Sequence, residues 1–335
     1  MFREAAESAR AVRTHLEASA ALVEQLAAKL RQLAPRAVVT CARGSSDHAA
    51  TFAKYLIETR LGVLTSSAAP SVSSLYDART DLRETLFLVI SQSGASPDLL
   101  AAARGAKNAG ALVVACVNAE SSPLAELADH CVPLCAGKES SVAATKSFIA
   151  SLAAVTHLVA RWAGDDELLA ALAQAPALLE RAWQLDWSAA EERLRAATDL
   201  YVLGRGLGLA IAQEAALKLK ETSGLHAEAL SAAEVLHGPM ALVRAGFPVL
   251  MFAQSDETRA GVESLARQLA MRGTDVLFAG GDLPDLVSLP SLASHPAIEP
   301  MLIIQSFYRM VCSLSLARGF DPDRPPNLSK VTETV

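Results

Sequence analysis

The sequence predicts an α/β protein made of two similar units, each a parallel β-sheet flanked by helices. Three observations carry this prediction. Apolar runs recur along the chain, each followed by a turn of small residues and an Ala/Leu-rich stretch with helical spacing. Two dipeptides recur at one offset: Arg43-Gly44 with Arg205-Gly206, and Gln92-Ser93 with Gln254-Ser255, each pair 162 residues apart. The 335 residues, 51% of them hydrophobic, are enough for two domains with cores of their own.

In order, the strand-like runs are Ala37–Cys41, Leu86–Ile90, Ala111–Val117, Leu200–Leu203 and Phe247–Ala253. Their length and β-branched content, bounded by Gly, Ser and Pro, suit buried parallel strands joined through helices. The Ala-Gln-Ala-Pro stretch at Ala173–Pro176 and the helix-like region reaching Arg195 form the connection. The expected division is an N-terminal helix with the first domain over 1–175, a second domain over 185–320, and a C-terminal tail over 321–335.

Composition excludes several classes of function. The net charge of −6 comes with scattered Lys and Arg and no basic stripe, which argues against a nucleic-acid surface. The five cysteines are an odd number at spacings unlike a disulfide framework, and are read as reduced. His130, Cys131 and Cys135 lack a second pair of ligands to complete a metal site, so packing is the preferred role. Gly204, Gly206 and Gly208 follow a strand, but their spacing fails the dinucleotide pattern, and no cofactor is expected. Acidic residues occupy the N-terminus where a secretory signal needs a basic and then an apolar run, and no run reaches about 18 uninterrupted apolar residues. The cytoplasm is therefore the expected compartment, with no membrane partner.

Ser91-Gln92-Ser93-Gly94-Ala95-Ser96 follows a buried strand and opens a helix expected to begin near Pro97-Asp98. Unpaired amides and the positive end of the helix dipole would face an anion there. Ser91, Ser93 and Ser96 add hydroxyls, Gly94 allows close backbone approach, and no lysine is required. Gly44-Ser45-Ser46, after the first strand, could close the other side. Either turn alone could be no more than helix capping; two at adjacent strand ends favour phosphate. The second copy reads Gln254-Ser255-Asp256-Glu257, and its carboxylate pair is expected to repel phosphate.

In the second copy, Glu214 to Glu221 reads as helix, with Lys218 and Glu221 three residues apart on one face. Such a carboxylate can carry a proton between two sugar carbons, though a pair of this kind read alone is more often a solvated ion pair. His226-Ala-Glu228 and Glu234-Val-Leu-His237-Gly-Pro239 cluster polar groups in an apolar chain. His237, beside Gly-Pro, is expected in a turn, as a ring-opening acid or base or as a structural histidine.

Together Cys41–Ser46, Ser91–Gly94, Glu214 through Glu228, His237-Gly-Pro239 and Asn327-Leu-Ser-Lys330 resemble the isomerase half of glutamine–fructose-6-phosphate aminotransferase. The resemblance covers essentially the whole chain. It implies two tandem sugar-isomerase (SIS) domains, each a flavodoxin-like three-layer sandwich. It further implies that Ser46, Ser91, Gln92, Ser93 and Ser96 bind the sugar phosphate, with Val142 and Ala143 near the sugar. Glu221 would move the proton between C1 and C2, Lys218 would orient the open-chain hydroxyls, and His237 would open the ring. Lys330, otherwise an unremarked tail lysine, would reach the carbonyl carbon. His237 would come from the neighbouring subunit of a homodimer.

The sequence departs from the family pattern at Ser46-Asp47-His48, and the usual proline is missing near Ala9. It also enters the isomerase portion directly from Met1, without the N-terminal Cys and glutaminase domain. The expectation is thus a stand-alone deaminase converting glucosamine 6-phosphate and water to fructose 6-phosphate and ammonia. The alternatives are a deglycase of fructosamine 6-phosphate adducts, a galactosamine 6-phosphate deaminase, or, in another class, a non-catalytic sugar-phosphate sensor. A sensor has no need of Lys218, Glu221 and His237 together.

Overall fold

The computed structural model describes residues 1–76 and 80–330. In chain order the elements are α1 (Phe2–Ala6), α2 (Ser8–Leu33), β1 (Ala37–Cys41), α3 (Ser45–Leu61), β2 (Leu64–Ser67), α4 (Pro70–Ser74), β3 (Thr85–Ser91), α5 (Pro97–Asn108), β4 (Leu112–Val117), α6 (Pro123–Leu127), β5 (His130–Pro133) and α7 (Lys146–Ala163). There follow α8 (Asp166–Ala182), α9 (Ser188–Leu194), β6 (Asp199–Gly204), α10 (Leu207–Ser223), β7 (His226–Ser231), β8 (Pro248–Phe252), α11 (Arg259–Met271), β9 (Asp275–Ala279), β10 (Val287–Leu289) and α12 (Glu299–Ala317).

Two five-stranded sheets form, ordered β2-β1-β3-β4-β5 and β10-β9-β8-β6-β7, and every adjacent pair is parallel. The chain divides into two compact units. The N-terminal unit comprises Arg10–Glu139, Lys146–Ala173 and, among the described residues, 329–330; the C-terminal unit comprises Met1–Ala9, Ser140–Thr145 and Gln174–Leu328. These groupings interleave along the chain instead of following a linear division. Within the C-terminal unit the reason is visible: the Glu4 carboxylate accepts from the Ser140 and Ser141 amides, and Gln305 donates to the Ala5 carbonyl.

In the N-terminal unit β3 is buried along its whole length. Phe87 and Val89 pack on Leu99, Ala102, Ala103 and Ala106 of α5. Leu86, Leu88 and Ile90 alternate to the opposite face and are also buried, which a sheet covered on both faces requires. The edge strands β2 and β7 escaped the sequence reading because only their buried alternate positions are constrained: β2 buries Thr65 alone, and in β7 Ala227 is buried between exposed His226 and Glu228.

The same-offset repeat persists in backbone detail. Helices α3 and α10 both have 17 residues, follow Gly44 (φ 55°, ψ −132°) and Gly206 (φ 58°, ψ −130°), and end on left-handed Gly62 and Gly224. A side chain at these positive-φ positions would strain the turn, so glycine fixes where each helix starts and stops. Helix α12 is long and apolar enough to cross a membrane by composition, but 78% of its apolar window is buried inside the fold.

Candidate functional site

In the N-terminal unit the run from Ser91 to Ser96 links the C-terminal end of β3 to α5, which begins at Pro97 as its sequence predicts. The Ser91 hydroxyl accepts from the Gly94 amide at 3.0 Å, and the Ser93 hydroxyl accepts from the Ala95 amide at 3.4 Å, which folds the loop into a tight turn. Gly94 has φ 62°, and a Cβ there would lie 2.1 Å from the Ser122 hydroxyl oxygen, so the turn excludes any other residue. Ser96 is the N-cap residue of α5, yet its side chain makes no capping bond. Among the described residues the Ser46, Gln92 and Ser96 side chains take no hydrogen bond, which leaves their polar atoms for a ligand. Ser46 lies in the first turn of α3, and β1 and β3 are neighbours in the sheet, so the two helix N-termini open at adjacent strand ends.

One cation spans these two turns. The Arg43 carbonyl accepts from the Ser46 amide at the start of α3, and the Arg43 Nε donates to Asp98 Oδ2 in the first turn of α5 at 2.8 Å. Asp98 is buried, with its other oxygen accepting from the Leu99 amide. Asp47, next to Ser46, is half-buried, and burial raises its carboxyl above the usual range.

Lys330 also lies in this unit, 3.3 Å from the Glu139 carboxylate. Glu139 is buried and accepts from the amide and the hydroxyl of Ser147 in the first turn of α7. A groove of about 1200 Å³ runs beside the other end of α5, lined by Val39, Pro70, Arg83, Arg104 and Gly110, and contains none of the predicted residues. Among the described residues no group of three or more His, Cys, Asp or Glu could hold a metal. His130 and Cys131 are strand residues of β5, the former bonded to Lys29.

In the C-terminal unit α10 carries the acid–base candidates. Lys218 is only 1% exposed, against the solvated ion pair that Lys218 and Glu221 alone would suggest. Its ammonium bonds to Glu221 one turn on and lies 3.6 Å from Glu214 one turn back, while the Tyr308 hydroxyl of α12 donates to Glu214 at 3.1 Å. Glu214 is fully buried, whereas the Glu221 side chain keeps 17% exposure. One buried ammonium thus holds two carboxylates, of which Glu221 is the one that keeps access to solvent. Sequence reasoning missed Glu214 and Tyr308 as members of this group; the Glu214–Lys218 spacing of four residues was the available signal.

His237 sits between two short 3₁₀ turns, Glu234–Leu236 and Pro239–Leu242, in the turn its Gly-Pro neighbour predicts. It is exposed, and among the described residues its imidazole takes no hydrogen bond. Ala143 is fully buried and Val142 partly so, the Val142 amide lying 3.4 Å from the Asp323 carbonyl. The predicted residues therefore fall into two groups. Ser46, Ser91, Gln92, Ser93, Ser96 and Lys330 belong to the N-terminal unit, and Val142, Ala143, Lys218, Glu221 and His237 to the C-terminal unit.

The second copy of the phosphate-type turn is closed from within. Glu299 of α12 accepts from the Ser255 amide (2.6 Å), the Ser255 hydroxyl (2.9 Å) and the Ser294 amide (3.1 Å). Asp256 accepts from Gln254 and Thr258, so it is tied up inside the turn. Beside the Asp256 and Glu257 carboxylates that the sequence offers, the internal carboxylate of Glu299 thus occupies the Ser255 donors of this turn.

Two parallel five-stranded sheets flanked by helices place the chain in the α/β class, and it belongs to the SIS domain family, which it matches over residues 34–161 and 193–279. It is 36% identical to a glutamine–fructose-6-phosphate aminotransferase (isomerizing) of Aeropyrum pernix, over 87% of this chain and 50% of that protein. The chain thus spans about half the length of the curated relatives it matches. A solved structure from Silicibacter pomeroyi DSS-3, described as a candidate phosphosugar isomerase, superposes with a TM-score of 0.93 at 45% identity, covering 96% of this chain and 99% of that one. The C-terminal domain of glucosamine-fructose-6-phosphate aminotransferase from Francisella tularensis gives 0.88 at 28% identity, covering 97% and 98%.

Proposed function

We propose that this chain is an isomerising deaminase that converts glucosamine 6-phosphate and water to fructose 6-phosphate and ammonia. The observation that carries the reading is Glu221, a carboxylate with partial access to solvent, fixed by an ammonium that is otherwise buried. Ser46, Ser91, Gln92, Ser93 and Ser96 bind the phosphate through hydroxyls, the Gln92 amide and helix-end amides. Val142 and Ala143 lie against the sugar. His237 protonates the ring oxygen and opens the pyranose to the C1 aldehyde. Glu221 takes the C2 proton and returns it to C1, while Lys218 orients the chain hydroxyls and Lys330 the carbonyl end.

The product of that transfer on a 2-amino sugar is a C2 imine. Water adds to it, the C–N bond breaks and ammonia leaves, so isomerisation followed by hydrolysis releases the nitrogen with water as the co-substrate and no glutamine. The 36% relative and the 45% structural neighbour support a phosphosugar as ligand. The same reading takes the two units as tandem three-layer SIS domains, with boundaries near 175 and 185–320 and a tail from 321. It takes the working form as a cytoplasmic homodimer in which His237 serves the neighbouring subunit.

The test is incubation of the purified protein with glucosamine 6-phosphate and no glutamine, following ammonia and fructose 6-phosphate together. Stoichiometric appearance of both supports the deaminase. Binding without turnover removes this substrate and turns the search to fructosamine and galactosamine phosphates, or to a sensor.

A further inference from the structure

We infer that Arg43 is a phosphate-binding residue: its guanidinium, anchored by buried Asp98 between the N-termini of α3 and α5, supplies the positive charge that the serine turns lack. The inference rests on the phosphosugar reading of those turns and adds a group that the reading does not contain.

The serine turns offer hydroxyls and amides, which are neutral donors, whereas a phosphate monoester carries close to two negative charges near neutral pH. The anion would also sit close to Asp98, whose carboxylate lies in the first turn of α5 with its side chain only 1% exposed. An uncompensated carboxylate there would oppose the phosphate. Arg43 removes that opposition through its Nε, which bonds Asp98 at 2.8 Å. Among the described residues its two Nη groups take no hydrogen bond, and the side chain is 52% exposed. A guanidinium held by Nε presents its Nη pair as a fixed fork, the geometry that suits phosphate oxygens.

The internal repeat supplies a control within the same chain. Arg205 stands at the position of Arg43 in the second copy, but the residue corresponding to Asp98 is Ala260, so that arginine has no buried carboxylate anchor. The turn beside it is filled by Glu299. The Arg43–Asp98 pair is thus present in the copy whose turn is open and absent from the copy whose turn is closed.

The experiment titrates inorganic phosphate into wild-type protein, Arg43→Met, Arg43→Lys and Ser93→Ala by calorimetry, with unfolding midpoints measured alongside. Arg43→Met should bind phosphate at least tenfold more weakly, and Arg43→Lys severalfold more weakly, because an ammonium keeps the charge but loses the fork. Where turnover is measurable, KM for the phosphosugar should rise with little change in kcat. If Ser93→Ala weakens phosphate binding and Arg43→Met does not, Arg43 is a structural ion pair, and the inference fails while the phosphate turns stand. If neither substitution weakens binding, the phosphate reading falls as well. Should Arg43→Met not fold, phenylglyoxal modification of wild-type Arg43 is followed by peptide mass spectrometry. Protection by inorganic phosphate supports the assignment, and modification at an unchanged rate overturns it.

Discussion

The Glu299 carboxylate accepts from both the amide and the hydroxyl of Ser255, 44 residues away in the chain, and so fills the serine turn of the second copy with a group of the protein's own. Charge-assisted bonds of this kind are worth more than neutral ones, and removing the buried carboxylate takes the shared acceptor from the amide and hydroxyl of Ser255 and the amide of Ser294. Glu299→Ala should therefore lower stability by about 2–4 kcal/mol. Glu299→Gln, which keeps the shape but offers one acceptor in place of two, should cost less. Urea unfolding of the two variants checks the order; equal stability of all three proteins would mean that the carboxylate contributes no net energy.

Gly94 has no substitute in the first copy. Its φ of 62° strains any side chain, and a Cβ would press into the Ser122 hydroxyl and the Val117 side chain. Gly94→Ala should cost at least about 2 kcal/mol through strain and displacement of α6. Because the turn must open to admit the methyl group, phosphate affinity should fall together with the unfolding midpoint. Ser93→Ala should weaken binding with the midpoint preserved, and comparing the two separates turn shape from hydroxyl chemistry.

Lys218 and Glu221 should separate stability from turnover. Glu221→Gln removes the carboxylate that would take the proton in the proposed reaction but keeps an acceptor for Lys218. It should lower kcat by on the order of 10²–10⁴-fold and leave phosphosugar binding largely intact. Lys218→Met strands Glu214, which is fully buried, and should destabilise the fold by about 3–5 kcal/mol. Single-turnover assays with chemical denaturation check both; full turnover by Glu221→Gln would remove Glu221 from the proton-transfer role.

Local chemistry explains what was legible in the sequence. Pro97 marked the start of α5, Gly-Pro marked the turn at His237, and two dipeptides gave the repeat offset that α3 and α10 follow to their last residue. The unreadable features are long-range. Nothing near Ser255 announces Glu299, and nothing near Lys218 announces that α12 brings Tyr308 over Glu214. Burial of Lys218 follows from the packing of α10 against β6, β7 and α12, which a helical-spacing argument does not contain. Arg43 was visible as part of the repeat, but its partner Asp98 lies 55 residues on and becomes adjacent only when β1 and β3 pair.

The N-terminal unit also carries an acid-sensitive pair outside the site. His15 of α2 and His157 of α7 are both buried, their ring nitrogens 3.4 Å apart, and His15 Nδ1 lies 2.8 Å from the Pro133 carbonyl oxygen. Burial, aided by the charges of His15 and Arg161, lowers the His157 pKa from 6.5 to about 4. His15 is lowered too, by burial that its bond to Pro133 only partly offsets. Between pH 6.5 and about 4 the unfolded chain binds a proton at His157 that the folded chain does not, so stability falls as pH drops through that window. The loss for His157 should reach on the order of 3 kcal/mol and then level off, because below the folded value both states are protonated. His157→Asn, which cannot titrate, should flatten this part of the curve even if it lowers stability at pH 7. Urea midpoints from pH 7 to pH 4 measure it, and parallel curves for the two proteins would show that His157 is not the group responsible.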